Sequence, residues 1–214
     1  GDTALIQYCY AEGDVSGQYG MIGGLVGGND AQIADSYALG DVVGNTSGSV
    51  DAWGVGGLVG GNFIGSVTGT IERCYASGDV TGDVYVGGLV GLNEASISDC
   101  DFTVSGALYA TDGELGGLAG YNESTGSVTG CDIIITGTIT TDNWDTGGFV
   151  GSNVGNITNS SITIQASGVV TGSADIGGFA GWNEGTISSS SVDTYGEISS
   201  GEWIGGFVGS NAGT

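Results

Sequence analysis

The chain has 214 residues, with 47 glycines, no proline, 24 acidic residues and one basic residue, Arg73, and its formal net charge at pH 7 is −23. Nucleic acids and anionic lipid headgroups are bound through Lys and Arg, which replace their counterions, so a surface this acidic repels both. We therefore expect neither nucleic-acid binding nor direct membrane insertion, and no apolar stretch approaches the about 20 residues that span a bilayer.

The first predicted element of each repeat is a strand with one buried face. A Cys or Ser alternates with an apolar residue two positions later, and this period of two is typical of a strand. The Cys/Ser column comprises Cys9, Ser36, Cys74, Cys100, Cys131, Ser160 and Ser190. The apolar column comprises Ala11, Ala38, Ala76, Phe102, Ile133, Ile162 and Val192. After a polar turn, a third apolar column predicts the next strand at Val15, Val42, Val80, Leu108, Ile139, Val170 and Ile198.

The four cysteines all fall in the first of these columns, which we predict to be interior. Side chains stacked on successive strands have Cβ atoms about 4.8 Å apart, whereas a disulfide prefers about 3.8 Å. We therefore favour buried free thiols that are interchangeable with Ser, and at most one bridge, Cys74–Cys100 or Cys100–Cys131.

The loop that follows the third column often holds an aromatic residue beside acidic ones. These aromatic residues are Tyr19, Trp53, Tyr85, Trp144 and Trp203. Aromatic faces with nearby carboxylates suit sugars or bound cations. They also suit contacts between rods, where aromatic residues are enriched. We favour the second use because no single loop stands out, and the first remains the alternative.

The repeat closes with a heptapeptide, G-G-[LF]-[VA]-G-x-N, which occurs seven times. It occupies residues 23–29, 56–62, 87–93, 116–122, 147–153, 177–183 and 205–211. Its last residue is Asn29, Asn62, Asn93, Asn122, Asn153, Asn183 and Asn211, which gives a period of 28 to 33 residues. The position before this Asn varies and is expected to face outward, so Tyr121 and Trp182 there join the candidate ligand or assembly contacts.

These elements predict an all-β fold, a parallel β-solenoid (β-helix) of about seven coils with roughly three short strands per coil. Helices are excluded because Gly costs about 1 kcal/mol relative to Ala inside a helix, and a propeller blade needs about 40 residues per repeat. Residues 1–214 form one domain in this interpretation. We expect right-handed coiling, because parallel crossovers overwhelmingly take that hand.

Within a stack of coils, each repeat position should form a column along the rod. We expect an interior column at Leu25, Leu58, Leu89, Leu118, Phe149, Phe179 and Phe207, and a ladder of hydrogen-bonded amides at the seven asparagines. Two alternatives stay open for the Val or Ala that follows each interior Leu or Phe. Alternation places it on a flat outer face that could pack against another rod, whereas a bulge would bury it.

The residue types argue against an enzyme. Without His or Lys, most acid–base and nucleophilic arrangements are absent, and many of the acids, such as Asp30, Glu94, Glu123 and Glu184, simply follow the repeat. We expect no cofactor, with Ca²⁺ as the one option that the carboxylates leave open.

The heptapeptide closely resembles the GLUG motif, in which two glycines flank a pair of apolar residues and a near-invariant Asn follows. The resemblance covers all seven repeats. GLUG-type repeats occur in large bacterial surface and secreted proteins, including filamentous-haemagglutinin-like adhesins and IgA-cleaving metallopeptidases, where they look like a stalk. The resemblance implies an extracellular or cell-surface location and a rod-like architecture. We expect the rod to be a filament subunit or an adhesin stalk, with self-association end to end or laterally. The alternatives are a carbohydrate- or cation-binding module and, less favoured, a polysaccharide-degrading enzyme.

Overall fold

Short parallel strands, each of two to four residues, account for the regular structure of this protein. The computed structural model describes residues 4–46, 53–65 and 68–213. In these residues 35 strands are present and no helix is formed, so the described chain contains no helix that could cross a membrane. The all-β solenoid of about seven coils predicted from the repeats is confirmed.

Each coil contributes five strands. Coil 1 contains β1 (Leu5–Gln7), β2 (Tyr10–Glu12), β3 (Val15–Ser16), β4 (Met21–Gly23) and β5 (Val26–Asn29), and coil 2 contains β6 (Gln32–Ala34), β7 (Tyr37–Leu39), β8 (Val42–Val43), β9 (Gly54–Gly56) and β10 (Val59–Asn62). Coil 3 contains β11 (Thr70–Glu72), β12 (Tyr75–Ser77), β13 (Val80–Gly82), β14 (Tyr85–Gly87) and β15 (Val90–Asn93), and coil 4 contains β16 (Ser96–Ser98), β17 (Asp101–Val104), β18 (Ala107–Ala110), β19 (Leu115–Gly116) and β20 (Ala119–Asn122). Coil 5 contains β21 (Ser127–Thr129), β22 (Asp132–Ile135), β23 (Thr138–Thr141), β24 (Thr146–Gly147) and β25 (Val150–Asn153). Coil 6 contains β26 (Asn156–Thr158), β27 (Ser161–Ile164), β28 (Val169–Thr171), β29 (Asp175–Gly177) and β30 (Ala180–Asn183), and coil 7 contains β31 (Thr186–Ser188), β32 (Ser191–Thr194), β33 (Glu197–Ser199), β34 (Trp203–Gly205) and β35 (Val208–Asn211).

Equivalent strands of successive coils pair in parallel and form five seven-stranded sheets. We number the sheets 1 to 5 after the strand of coil 1 that belongs to each, so that sheet 4 contains β4 and sheet 5 contains β5. The register matches repeat to repeat: Val59 pairs with Val90, and Asn62 pairs with Asn93. Like residues therefore meet like residues along the whole stack.

Five strands per coil correct the prediction of three. Sheet 1 was missed because each of its strands offers a single inward side chain, such as Ile33 or Ile71, and one apolar residue gives no alternation to detect. The heptapeptide adds another strand, because it bends at its second Gly and the Leu or Phe that follows, and so contributes to both sheet 4 and sheet 5.

The corner between sheets 1 and 2 turns through a left-handed residue in every coil. The residues there are Tyr8, Asp35, Arg73, Asp99, Gly130, Asn159 and Ser189, with φ between 50° and 67°. This region is disfavoured for residues with a side chain, although Asp and Asn tolerate it. The repeated geometry shows that stacking of the coils decides the backbone at this corner, because Tyr8 and Arg73 would not choose it locally.

The next residue at this corner is the Cys/Ser column, and its hydrogen bonds explain why the two residue types interchange. The thiol of Cys74 donates to the carbonyl of Glu72 (3.3 Å), and the amide of Cys74 donates to the sulfur of Cys100 (3.4 Å). The hydroxyl of Ser36 plays both parts, because it donates to the carbonyl of Ala34 (2.7 Å), as the Cys74 thiol does to Glu72, and accepts from the amide of Cys9 (3.1 Å), as the Cys100 sulfur does from Cys74. All four cysteines are free, and three of them are buried; Cys9 is exposed, contrary to the predicted interior position, because coil 1 lies at the end of the stack.

The predicted interior columns are confirmed in the middle coils. Leu58, Leu89, Leu118, Phe149 and Phe179 are fully buried. The rings of Phe149 and Phe179 stack with centroids 4.5 Å apart. Burying each such side chain contributes about 1.5–3 kcal/mol, so cohesion comes mainly from contact between neighbouring coils.

The Val or Ala that follows the interior Leu or Phe is also buried, so the flat outer face proposed as one alternative is wrong. Val59, Val90 and Ala119 are at most 1% exposed. The amides of Leu58 and Val59 both donate to the carbonyl of Leu89 (2.9 and 3.0 Å), so one acceptor serves two residues and the alternation slips by one. This bulge turns two successive side chains inward.

The asparagines at the end of sheet 5 form a continuous hydrogen-bonded ladder. Each side-chain amide donates to the side-chain oxygen of the next Asn at 2.7–2.9 Å, in the order Asn29, Asn62, Asn93, Asn122, Asn153, Asn183 and Asn211. Several of them also donate to the carbonyl two residues on, as Asn93 does to Ala95 at 3.2 Å. The ladder satisfies polar groups that would otherwise be unpaired in the core.

Candidate functional site

A column of acidic side chains runs along sheet 4 in coils 4 to 6. The residue two positions before the heptapeptide is Glu114, Asp145 and Asp175 in these coils. The residues that follow them are paired in register, Leu115 with Thr146 and Thr146 with Ile176. Neighbouring parallel strands lie about 4.8 Å apart, so the three carboxylates are held one above another.

Burial, together with neighbouring negative charges, raises the pKa of all three carboxyl groups. The pKa of Asp145 rises from its usual 3.8 to about 7, mainly through burial and then through the charges of Asp175 and Glu114. Burial also raises the pKa of Glu114, with a contribution from Asp112, and the pKa of Asp175, with a contribution from Glu202. The ionised column is therefore an electrostatically costly arrangement that an external positive charge would relieve.

Three aromatic side chains border these carboxylates. Tyr121 and Trp182 project from sheet 5, at the variable position of their heptapeptides, and Trp144 lies in the loop before sheet 4. Together with the acids they line a cleft of about 340 Å³, within the roughly 300–1,000 Å³ of small-molecule sites. We call it the acidic aromatic cleft and define it by Glu114, Tyr121, Trp144, Asp145, Asp175 and Trp182.

The aromatic side chains of the cleft are held by their neighbours. The indole N–H of Trp144 donates to Asp112 at 3.1 Å, which orients a ring that is 53% exposed. The rings of Tyr85 and Tyr121 pack with centroids 5.0 Å apart. A smaller depression of about 220 Å³, bordered by Tyr85, Glu114 and Trp144, continues the cleft towards coil 3.

A larger depression, of about 570 Å³, lies on sheet 2 beside Arg73 and Tyr75. Its cation is already neutralised, because Arg73 forms ion pairs with Asp35, at 2.7 Å, and with Glu72. The exposed phenol ring of Tyr75 stacks on the ring of Tyr37, with centroids 4.8 Å apart. Among the described residues that line this surface, no buried side-chain oxygen or nitrogen lacks a hydrogen-bond partner, so the acidic aromatic cleft is the stronger candidate.

A metal centre is not apparent in the part of the chain that the structure describes. There, no three acidic or cysteine side chains are placed where they could hold a metal ion together. The expectation that Ca²⁺ could bind stays a prediction.

Comparison with known proteins identifies the repeat. The family model described as the GLUG motif matches residues 18–43, 51–81 and 82–105, each of which contains one heptapeptide. Residues 18–105 form a GLUG-motif repeat region. No curated protein and no solved structure matches the chain significantly.

The four heptapeptides beyond the matched GLUG region occupy the same places in their coils as the first three. Their strands continue sheets 4 and 5 without interruption, and the acidic aromatic cleft is built on them. The repeated residues of the heptapeptides therefore supply the frame, and the residues that vary from repeat to repeat line the cleft.

Four of the seven aromatic residues predicted as contacts converge on the cleft and its continuation. They are Tyr85, Tyr121, Trp144 and Trp182. The other three, Tyr19, Trp53 and Trp203, are 53–70% exposed and do not line it.

Two acids of the cleft, Glu114 and Asp175, escaped the sequence analysis. They are not adjacent in sequence to Trp144, and only Asp145 stands beside an aromatic residue. Aligning the position two residues before each heptapeptide would have revealed them, because that column reads Met21, Gly54, Tyr85, Glu114, Asp145, Asp175 and Trp203. Three successive acids in one column break the repeat.

Proposed function

We propose that this protein is a structural and adhesive rod, located outside the cell or on its surface, that lengthens by stacking solenoid on solenoid. The observation that carries the proposal is the uniform parallel register of all five sheets, which makes every coil a template for another. The extracellular location rests on the resemblance of the repeats to those of bacterial surface proteins.

The outer face of coil 7 suits such stacking. Phe207 is 37% exposed and Ile204 is 50% exposed, whereas Phe179 and Ile176, their equivalents in coil 6, are fully buried. Among the described residues, each coil 7 strand has a hydrogen-bonded neighbour on one side only. The occupant that fits it best is the face of coil 1 of a second copy, because that face has the same spacing and the same column positions.

The second glycine of the heptapeptide gives a direct test. A Cβ on Gly178 would lie 2.2 Å from the carbonyl oxygen of Gly206 in the next coil, whereas a Cβ on Gly206 meets nothing within 4 Å. If a second copy continues the solenoid, its Gly24 brings a carbonyl to the same place above Gly206. The variant Gly206→Ala should then fold normally and fail to assemble.

Analytical ultracentrifugation across a concentration series, with negative-stain electron microscopy, measures this directly. We expect the unmodified chain to form rods of increasing length, Gly206→Ala to stay monomeric, and Gly213→Ala to assemble like the unmodified chain, since that glycine also has open space around it. An unmodified chain that remains monomeric at high concentration, or a Gly206→Ala variant that still forms rods, would overturn end-to-end stacking.

A second candidate function, ligand binding on the side of the rod, is favoured by the convergence of Tyr121, Trp144 and Trp182 on one cleft. An adhesive rod needs such a contact. Titration of the protein with a panel of glycans, followed through tryptophan fluorescence, tests the general idea, and the absence of any change would count against it.

A further inference from the structure

The chain cannot neutralise the acids of the acidic aromatic cleft with its own cations. Arg73 is the single basic residue of the sequence, and its guanidinium is paired with Asp35 and Glu72 at the corner of sheets 1 and 2. The carboxylates of the cleft therefore face one another and solvent. Above about pH 7, where Asp145 is ionised as well, any cation that balances them has to come from another molecule.

One acid of the cleft is buried with an unused hydrogen-bond acceptor. Asp175 is 8% exposed, and when its neighbour Asp145 is ionised and cannot donate to it, its Oδ1 accepts no hydrogen bond from the described residues. A buried acceptor left without a donor costs about 1–3 kcal/mol, and more when it is charged. Oδ1 itself is closed to solvent, so a donor that enters the cleft meets the parts of the Asp175 and Asp145 side chains that line it.

The aromatic residues select the kind of donor. The faces of indole and phenol rings carry negative electrostatic potential and attract organic cations within about 6 Å, with a gain that grows when the site is desolvated. Trp182, Tyr121 and the oriented ring of Trp144 stand around the same carboxylates. A carboxylate requires a hydrogen-bond donor, and the aromatic rings attract a cation. One ligand group meets both requirements, an ammonium, which is positively charged and donates hydrogen bonds through its N–H groups.

We propose that the acidic aromatic cleft binds a protonated primary amine of an external ligand, with the ammonium directed to Asp175 and Asp145 and the adjoining carbon atoms packed against Trp182. An amino sugar and a lysine side chain both present this group. The inference deepens the ligand-binding candidate above and is independent of rod assembly, so either can fail without the other.

Calorimetric titration at pH 8 with matched charged and neutral probes tests the proposal. The charged probes are an oligomer of β-1,4-linked glucosamine and Nα-acetyl-lysine methylamide, and their neutral counterparts are the N-acetylglucosamine oligomer and Nα,Nε-diacetyl-lysine methylamide. We expect at least one charged probe to bind about tenfold or more tightly than its acetylated counterpart, because acetylation removes the charge and two N–H donors. The charged probe that binds more tightly identifies the source of the amine.

Variants locate the site. Asp175→Asn should raise the Kd of the charged probe about tenfold or more, since a charge-assisted hydrogen bond is lost. Trp182→Leu should also raise the Kd, through loss of the ring face. The control, Asp193→Asn, removes the same charge from the exposed face of sheet 2 and should leave the Kd unchanged. Melting temperatures of all three variants report whether the fold is intact.

Three outcomes would overturn the inference. Equal binding of the charged and acetylated probes would show that the rings alone hold the ligand. An equal loss in Asp175→Asn and Asp193→Asn would show non-specific attraction to an acidic surface. Absence of heat for every probe at millimolar concentration would show that the cleft holds no amine at all.

Discussion

Two identical heptapeptides allow the energy of stacking to be separated from the intrinsic preferences of the sequence. Residues 147–153 and 205–211 both read GGFVGSN, and neither Gly148 nor Gly206 has a positive φ. A Cβ on Gly148 would lie 2.2 Å from the carbonyl oxygen of Gly178 in the next coil, whereas a Cβ on Gly206 meets no atom within 4 Å. The substitutions Gly148→Ala and Gly206→Ala thus differ only in the coil above.

The structure sets the size of the difference. Coil 6 would have to retreat from 2.2 Å to at least 3.0 Å from the new Cβ, and the amides of Gly148, Phe149 and Val150 donate to coil 6 at 2.9–3.0 Å in the same place. Overpacking against backbone costs about 1–3 kcal/mol, and weakening of two hydrogen bonds adds about 1–3 kcal/mol. We expect Gly148→Ala to lose about 3–5 kcal/mol and about 10 °C in melting temperature.

Gly206→Ala should be neutral, or more stable by up to about 1 kcal/mol, because Ala restricts the unfolded chain. Thermal and urea unfolding followed by circular dichroism, at a concentration where the protein is monomeric, compares the two variants. If they unfold alike, coils 5 and 6 are not in the close contact that the stacking argument requires.

Four further predictions follow from single positions. Asn93→Asp puts a carboxylate that cannot donate a hydrogen bond into the fully buried ladder, and should lower the free energy of unfolding by about 3–5 kcal/mol. Asn211→Asp is the control: residue 211 is exposed and only accepts the last ladder bond, so this variant should change the urea midpoint little. The pKa of Asp145 is raised to about 7 in the folded state, so the free energy of unfolding should fall as the pH rises from about 4 to about 7, and Asp145→Asn should flatten that fall in urea titrations. Thr146 carries a buried hydroxyl without a partner, and Thr146→Val should raise the melting temperature, with a gain of about 1–2 kcal/mol; an unchanged or lower value would mean that the hydroxyl is bonded. Iodoacetamide should label Cys9 rapidly and the three buried thiols only on unfolding, as mass spectrometry of timed samples would show.

The interior columns were predictable because each coil packs against a neighbouring coil with equivalent residues at equivalent positions. When like positions stack, a column such as Leu58, Leu89 and Leu118 can be recognised simply by aligning the repeats, and the Cys/Ser column and the asparagines follow by the same reasoning. Parallel register turns similarity in sequence into contact in space. The exclusion of helices likewise needed only the frequency of glycine.

Position-by-position reasoning failed where alternation breaks. The sequence pattern does not decide whether Val90 is buried or lies on an outer face. A period of two cannot reveal the bulge by which the side chains of Leu89 and Val90 both turn inward. Sheet 1 was missed since one inward residue per strand carries no period at all. These features depend on which carbonyl each amide reaches in the neighbouring coil, and that is a property of the stack.

The sequence by itself determined the repeat, the solenoid class, the interior columns and the net acidity, because each of these depends on residue type and spacing alone. Only the tertiary structure decided that Tyr121 and Trp182, on the adjoining sheet, face the column of Glu114, Asp145 and Asp175. Residues about 30 positions apart become neighbours when the chain completes a coil, and residues on two different sheets meet only at the corner that joins them. The cleft exists at that corner, where neither sheet alone would reveal it.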